Sequence, residues 1–186
     1  LGRQEVSFDN QRLVGAVDWV QRARSFDGAR WLRQGKNYSA DLFYFQVSEG
    51  DTTDPDGSFA PAGASDTNFG GLHVAFPVAG HNVSLAYYGL NATAAGALYH
   101  TAGAYATGAA GPATYSAEAY YQDIEIGGAN GSAVLGAVTV GYDKLPQGGN
   151  VAVWYEYVGG DGAAENAFST LFATNHKFYG EMDFFL

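Results

Sequence analysis

Apolar and polar positions alternate with a period of two over most of this chain, the pattern of strands with two unlike faces. Leu72, Val74, Phe76 and Val78 share a face, and Val83, Leu85 and Tyr87 oppose Ser84, Ala86 and Tyr88. Further on, Tyr115, Ala117, Ala119 and Tyr121 oppose Ser116, Glu118, Tyr120 and Gln122. Val134, Gly136, Val138, Val140 and Tyr142 form another row, and Val151, Val153, Tyr155 and Tyr157 oppose Ala152, Trp154 and Glu156. The same reading predicts strands at 26–35, 38–48, 97–108 and 175–185. The total is about nine or ten strands of roughly 9–12 residues, long enough to cross a bilayer at a tilt. Tight turns are expected at 79–82, at Gly111-Pro112 and at 146–149, with longer polar connections at 49–66 and 158–173. Short turns at one end and longer loops at the other are the habit of transmembrane barrels.

Composition sharpens this picture. Gly accounts for 26 of 186 residues, aromatics for 15% and charged residues for only 15%. Ordinary soluble domains carry about 25% charged residues and about 7% Gly. The bias favours an all-β chain with many turns. Mean hydropathy is −0.13, and no apolar run is long enough for a membrane helix. Neither fact opposes a barrel, because lipid-facing and lumen-facing residues cancel in such an average. Aromatics gather at Tyr87-Tyr88, Tyr120-Tyr121 and Phe184-Phe185, as interfacial girdles require. The small face opposite (Ser84, Ala86, Ala117, Ala119, Thr139, Gly141, Ala152) fits a wall whose inner side is crowded by inserted loops. A soluble or surface carbohydrate-binding β-sandwich or adhesin is the competing reading, since it too alternates.

The charge map adds a possible site. Net charge is −10, yet seven of nine basic residues fall in the first 36: Arg3, Arg12, Arg22, Arg24, Arg30, Arg33 and Lys36. With Glu5, Asp9, Asp18 and Asp27 that stretch is +3, and the remainder is −13. Such asymmetry suggests a surface that meets an anion. The plainer alternative is that these arginines pair with the nearby acids and hold a loop in shape. The overall acidity disfavours nucleic acid as a partner.

Two stretches carry a family resemblance: Phe8-Asp-Asn-Gln-Arg-Leu-Val-Gly-Ala-Val-Asp-Trp19 continuing to Ser25-Phe-Asp-Gly-Ala-Arg30, and Ala173-Thr-Asn-His-Lys-Phe-Tyr-Gly180 continuing to Met182-Asp-Phe-Phe185. Together they resemble the alginate-export family of outer-membrane porins of Gram-negative bacteria. The resemblance implies an antiparallel transmembrane β-barrel, monomeric and embedded in lipid, with more strands than this chain supplies. It implies an electropositive lumen passing an anionic polysaccharide or small anionic solutes, and no cofactor. Carried over by position, the motif places Asp9, Asn10, Gln11, Gly15, Trp19, Phe26, Asp27, Asn175 and His176 as motif residues. Arg12 and Arg30 are the clearest pore-lining candidates, with Arg3, Arg22, Arg24, Arg33, Lys36 and Lys177 grouped with them. A convincing closing strand is missing, so the reading is one barrel domain over 1–186, truncated at both ends. Arg suits the task, because its planar fork engages carboxylates and its charge survives any physiological pH.

Other chemistry is thin. Asp51, Asp54 and Asp56 lie in a loop that resembles a calcium site, but the regular spacing and the late Glu are missing. His73, His81, His100 and His176 are scattered without a zinc spacing. Cysteine is absent, which excludes disulfides and thiolate metal sites. No nucleophile elbow marks a hydrolase. Glu118 and Asp123 are paired acids of the kind a glycosidase needs, although Glu118 reads better as facing a polar lumen. The chain is therefore expected to be no enzyme.

Overall fold

A computed structural model of the chain describes residues 1–17, 23–48, 66–146, 148–174 and 176–179. Nine strands follow one another as an antiparallel meander in a single sheet, each paired with its neighbour in sequence. They are β1 (Gly2–Gln4), β2 (Phe26–Gln34), β3 (Ser39–Ser48), β4 (Thr67–Val78), β5 (His81–Ala92), β6 (Ala97–Ala110), β7 (Ala113–Ile126), β8 (Ala129–Tyr142) and β9 (Val151–Val158). Among the described residues β1 and β9 form the two edges and do not pair with each other.

The predicted strands between 26 and 158 are present, and most run longer than the alternation alone indicates. β6, β7 and β8 each reach 14 residues. Their length comes from continuous register: every residue of β7 from Ala113 to Ile126 pairs into β8. Turns at Ala79-Gly80 and Gly111-Pro112 lie where expected. At the opposite end two connections are also short. One is a 3-10 turn at Thr93–Ala95. The other is Gly127-Gly128, with φ of 60° and 85°, the two left-handed positions that a type I′ hairpin needs. Long connections at that end are the segment between β1 and β2, the link between β3 and β4 and the segment after β9.

The two faces differ sharply. Leu42, Leu72, Leu85, Val134, Val138, Val140, Val153 and Tyr155 point outward and are exposed, Leu85 at 50% and Tyr155 at 68%. A soluble sheet does not leave such a band in water; lipid is the solvent that accepts it. An arginine at Leu85, near the middle of β5, is therefore expected to cost about 2–4 kcal/mol. A urea titration of the protein refolded into bilayers measures that loss.

The inner face carries the core. Phe26, Phe43, Phe45, Phe69 and Tyr88 form an aromatic slab across β2–β5, and Tyr120, Ile124 and Leu135 continue it across β7 and β8. Facing the slab are Val6, Phe8, Leu13 and Val14 from the segment between β1 and β2, and Phe168 from the segment after β9. The inner side is therefore crowded by inserted segments, as the small residues there suggest. Ala117 and Ala119 are corrected to the outer face with Tyr115 and Tyr121, because alternation from buried Glu118 and Tyr120 puts them there. The aromatic doublets also divide: Tyr87 and Tyr121 face outward, while Tyr88 and Tyr120 are buried. Phe184 and Phe185 lie outside the described residues. The predicted strand at 175–185 is corrected as well. Its described part is a single helical turn, α1 (His176–Tyr179), closed by Lys177 N–H donating to the Thr174 carbonyl at 3.1 Å.

Candidate functional site: a plug built from both motifs

The two sequence motifs meet on the inner face. Val14 and Phe172 form an isolated parallel β-bridge. Around it, Gly15 N–H donates to the Phe172 carbonyl, Phe172 N–H to the Leu13 carbonyl and Thr174 N–H to the Gln11 carbonyl, at 2.9, 2.9 and 3.0 Å. Thr174 Oγ1 donates to Gln11 Oε1 at 2.8 Å. Lys177 Nζ donates to the Asn10 carbonyl at 3.0 Å. Buried backbone groups need partners, and here each segment supplies the other's. Neither could lie on the wall alone without leaving its polar backbone unsatisfied.

Gly15 is explained by this contact. A Cβ there would stand 2.1 Å from Thr174 Oγ1 and 2.9 Å from Gln11 Cβ. Only hydrogen fits between the segments.

The plug is pinned to the wall from one side to the other. The Phe8 ring stacks on His73 of β4 at 4.6 Å and on Phe43 of β3 at 5.5 Å. Asp9 accepts from Ser84 Oγ of β5 at 2.7 Å and is paired with His73 Nε2 at 3.1 Å. Asn10 Nδ2 donates to Glu118 Oε1 of β7 at 2.8 Å. Arg12 donates from Nε to Glu118 Oε1 at 2.5 Å and from Nη1 to Glu156 Oε2 of β9 at 2.6 Å. Its guanidinium lies 4.1 Å from the Phe178 ring centroid. Just ahead of the second motif, Gln122 of β7 exchanges hydrogen bonds with the backbone of Ser169 and donates to Thr101 of β6. The run from Phe8 to Arg12 thus crosses from β3 to β9.

Arg12 is the electrostatic centre of this arrangement. Its side chain is 7% exposed. Burial alone would lower its pKa, but the charges and hydrogen bonds of Glu118 and Glu156 outweigh that and raise it. Arg24 is held differently. It donates to the carbonyls of Gly15, Phe172 and Ala173, and burial lowers its pKa. Arg24 ties the chain end of the first motif to the second.

The remaining candidates separate. Arg30 points inward from β2 and makes a two-pronged pair with Asp41 of β3. Arg3 pairs with Asp27 at 2.6 Å, both exposed on the outer face. Asp27 therefore orients Arg3. Arg33 also faces outward, two residues on from exposed Trp31. Arg3 and Arg33 are thus corrected from lumen lining to the outer surface, because odd positions of β2 and their partners face away from the plug. Lys36 sits in the exposed turn between β2 and β3. Trp19, Arg22, Asn175 and the aspartates of the calcium-like loop, Asp51, Asp54 and Asp56, lie outside the described residues, and His176 begins α1. Phe26 joins the aromatic slab, stacked on Phe45 at 5.3 Å.

Several functional groups have no marker in the sequence motifs: Asp41, His73, Ser84, Gln122 and Glu156. The usable signal was alternation, which puts Ser84, Gln122 and Glu156 on the face opposite the apolar rows. Glu118 faces inward as its phase requires. Asp123 falls on the opposite face, so these two acids cannot converge on a glycosidic bond.

A hairpin wall with an apolar outer band and a plugged inner side that also buries ion pairs defines the protein class: the wall of an outer-membrane β-barrel. Comparison with curated proteins gives no match. Among solved structures the chain is similar to OmpT (in-vitro folded), an outer membrane protein of Vibrio cholerae, at 11% identity and a TM-score of 0.42. That similarity covers 84% of this chain and 64% of the other, so the chain spans less than two thirds of that protein's length. The family model described as alginate export matches residues 1–185, and the chain belongs to that family. Its place is the bacterial outer membrane. The family is one of exporters, not of enzymes.

Proposed function

We propose that this protein is an outer-membrane porin passing anionic polysaccharide or smaller anionic solutes along the inner face described above. The observation that carries this reading is the match of the export family over residues 1–185 to a chain whose family motifs are folded into the interior. Among the described residues the cations held on the inner side are Arg12, Arg24, Arg30 and Lys177, each by a carboxylate or a carbonyl. Held cations suit conduction better than free ones. Their fixed position gives anions a defined path, while their partners keep each binding step weak. The open edges of β1 and β9 need pairing in lipid, and further strands of the assembled barrel would supply it.

Full-length protein in planar bilayers is expected to give stepwise conductance favouring anions. Arg30→Gln, which leaves Asp41 facing inward alone, should lower the anion-to-cation permeability ratio. Absent conductance, or cation preference in the wild type, would overturn the proposal.

A further inference from the structure

One large aromatic on the inner face is not used by the core. Trp154 of β9 shares its face with Glu156, which reaches Arg12, yet it is 71% exposed. Its neighbours Val153 and Tyr155 point to the lipid side, where exposure of apolar area is no loss. An indole turned toward an aqueous interior gains nothing from the membrane and nothing from packing.

It borders a cavity of about 320 Å³ together with Phe178, Lys177, Arg12, Asn10 and Glu156. Ser116 and Thr139 form its floor and are shared with a second cavity of about 390 Å³. The second continues along the inner face past the hydroxyls of Tyr105, Thr107 and Thr114. Each is in the range of small-ligand sites, about 300–1,000 Å³. The two make one track of hydroxyls with an aromatic and a cation at the plug end. Arg12 is committed to two carboxylates. Lys177 is exposed and gives one proton to the Asn10 carbonyl, so two of its three donors are left for a ligand.

We infer that this track binds sugar units of an acidic polysaccharide, with Trp154 as the platform for a pyranose ring and Lys177 as the group that takes its carboxylate. The C–H face of a pyranose is weakly positive, and the indole face is negative. Hydroxyl groups at the ring edge find Ser116 and Thr139, and the carboxylate reaches the ammonium. The inference rests on the porin reading and names a step in its path.

Isothermal titration of the full-length protein in detergent with a mannuronate hexamer tests the site. Bilayer conductance on the same preparation tests the pore separately. Wild type should bind the hexamer, and Trp154→Ala should weaken binding about tenfold, the effect of one aromatic contact. Trp154→Phe should restore most of it. Lys177→Gln should remove the preference for the uronate over a neutral glucose hexamer. Unchanged heat-modifiable gel mobility establishes that each variant is folded. Equal binding by wild type and Trp154→Ala, or no binding by wild type, overturns the site even if the pore conducts. Binding that depends on Trp154 without conductance supports the site and overturns the pore.

Discussion

Replacing Arg12 by Met is expected to destabilise the folded protein by about 3–5 kcal/mol, the usual consequence of removing one member of a buried ion pair. The loss comes less from the missing attraction than from what is left behind. Glu118 is 3% exposed at its side chain and Glu156 17%, and both would be left largely buried without their shared cation. Arg12→Lys should recover little, because an ammonium cannot reproduce a fork that bonds two carboxylates from two nitrogens. The triple variant Arg12→Met, Glu118→Gln, Glu156→Gln should recover much of the loss, since no charge of the triad then remains. Urea titrations followed by tryptophan fluorescence order the four proteins. If Arg12→Met were as stable as wild type, the triad would not hold the plug to β7 and β9.

The second large effect is expected at Gly15. Gly15→Ala places a methyl group 2.1 Å from Thr174 Oγ1, and relief requires the motifs to part. Overpacking of this kind costs about 1–3 kcal/mol. Thr174→Ala removes the obstructing hydroxyl along with its bond to Gln11. The double variant should therefore be more stable than the sum of the single losses predicts, because the two changes share one contact. Limited proteolysis offers a second readout: cleavage within the plug should rise in Gly15→Ala and fall back in the double variant. Purely additive losses would mean that Gly15 and Thr174 do not touch.

The wall was legible because a strand with one face in lipid writes its period directly into the sequence. Rows such as Val134, Val138 and Val140 mark a two-faced strand, and their exposure on the sheet is what favours lipid on that face. β1 was invisible, because three residues cannot show a period. The run at 176–179 was misjudged as strand: its Thr174 and Lys177 close a turn that is fixed by contact with Asn10, a tertiary effect that local pattern does not carry. The candidate site was legible as a string and not as an arrangement. Gln11, Arg12 and Gly15 mark the motif, but the partner of Arg12 lies 106 residues away at Glu118. Nearby acids looked like its natural partners. Among the described residues only the Arg3–Asp27 pair came from within the basic segment; Arg12 and Arg30 found theirs on strands the chain reaches later. Trp154 gave no signal beyond its phase, since an aromatic on a strand usually faces lipid or core.

The two motifs dock on each other inside the wall. The chain has no cysteine, so a pair introduced as Val14→Cys and Phe172→Cys reports on one contact alone. Bridged positions on paired strands stand roughly 4.7–4.9 Å apart, inside the usual range for a disulfide. Mild oxidation of the double variant in outer membranes should yield an internally crosslinked species, seen as faster migration on a denaturing gel and reversed by reductant. A variant that inserts normally yet shows free thiols at both positions after oxidation would contradict the docked plug.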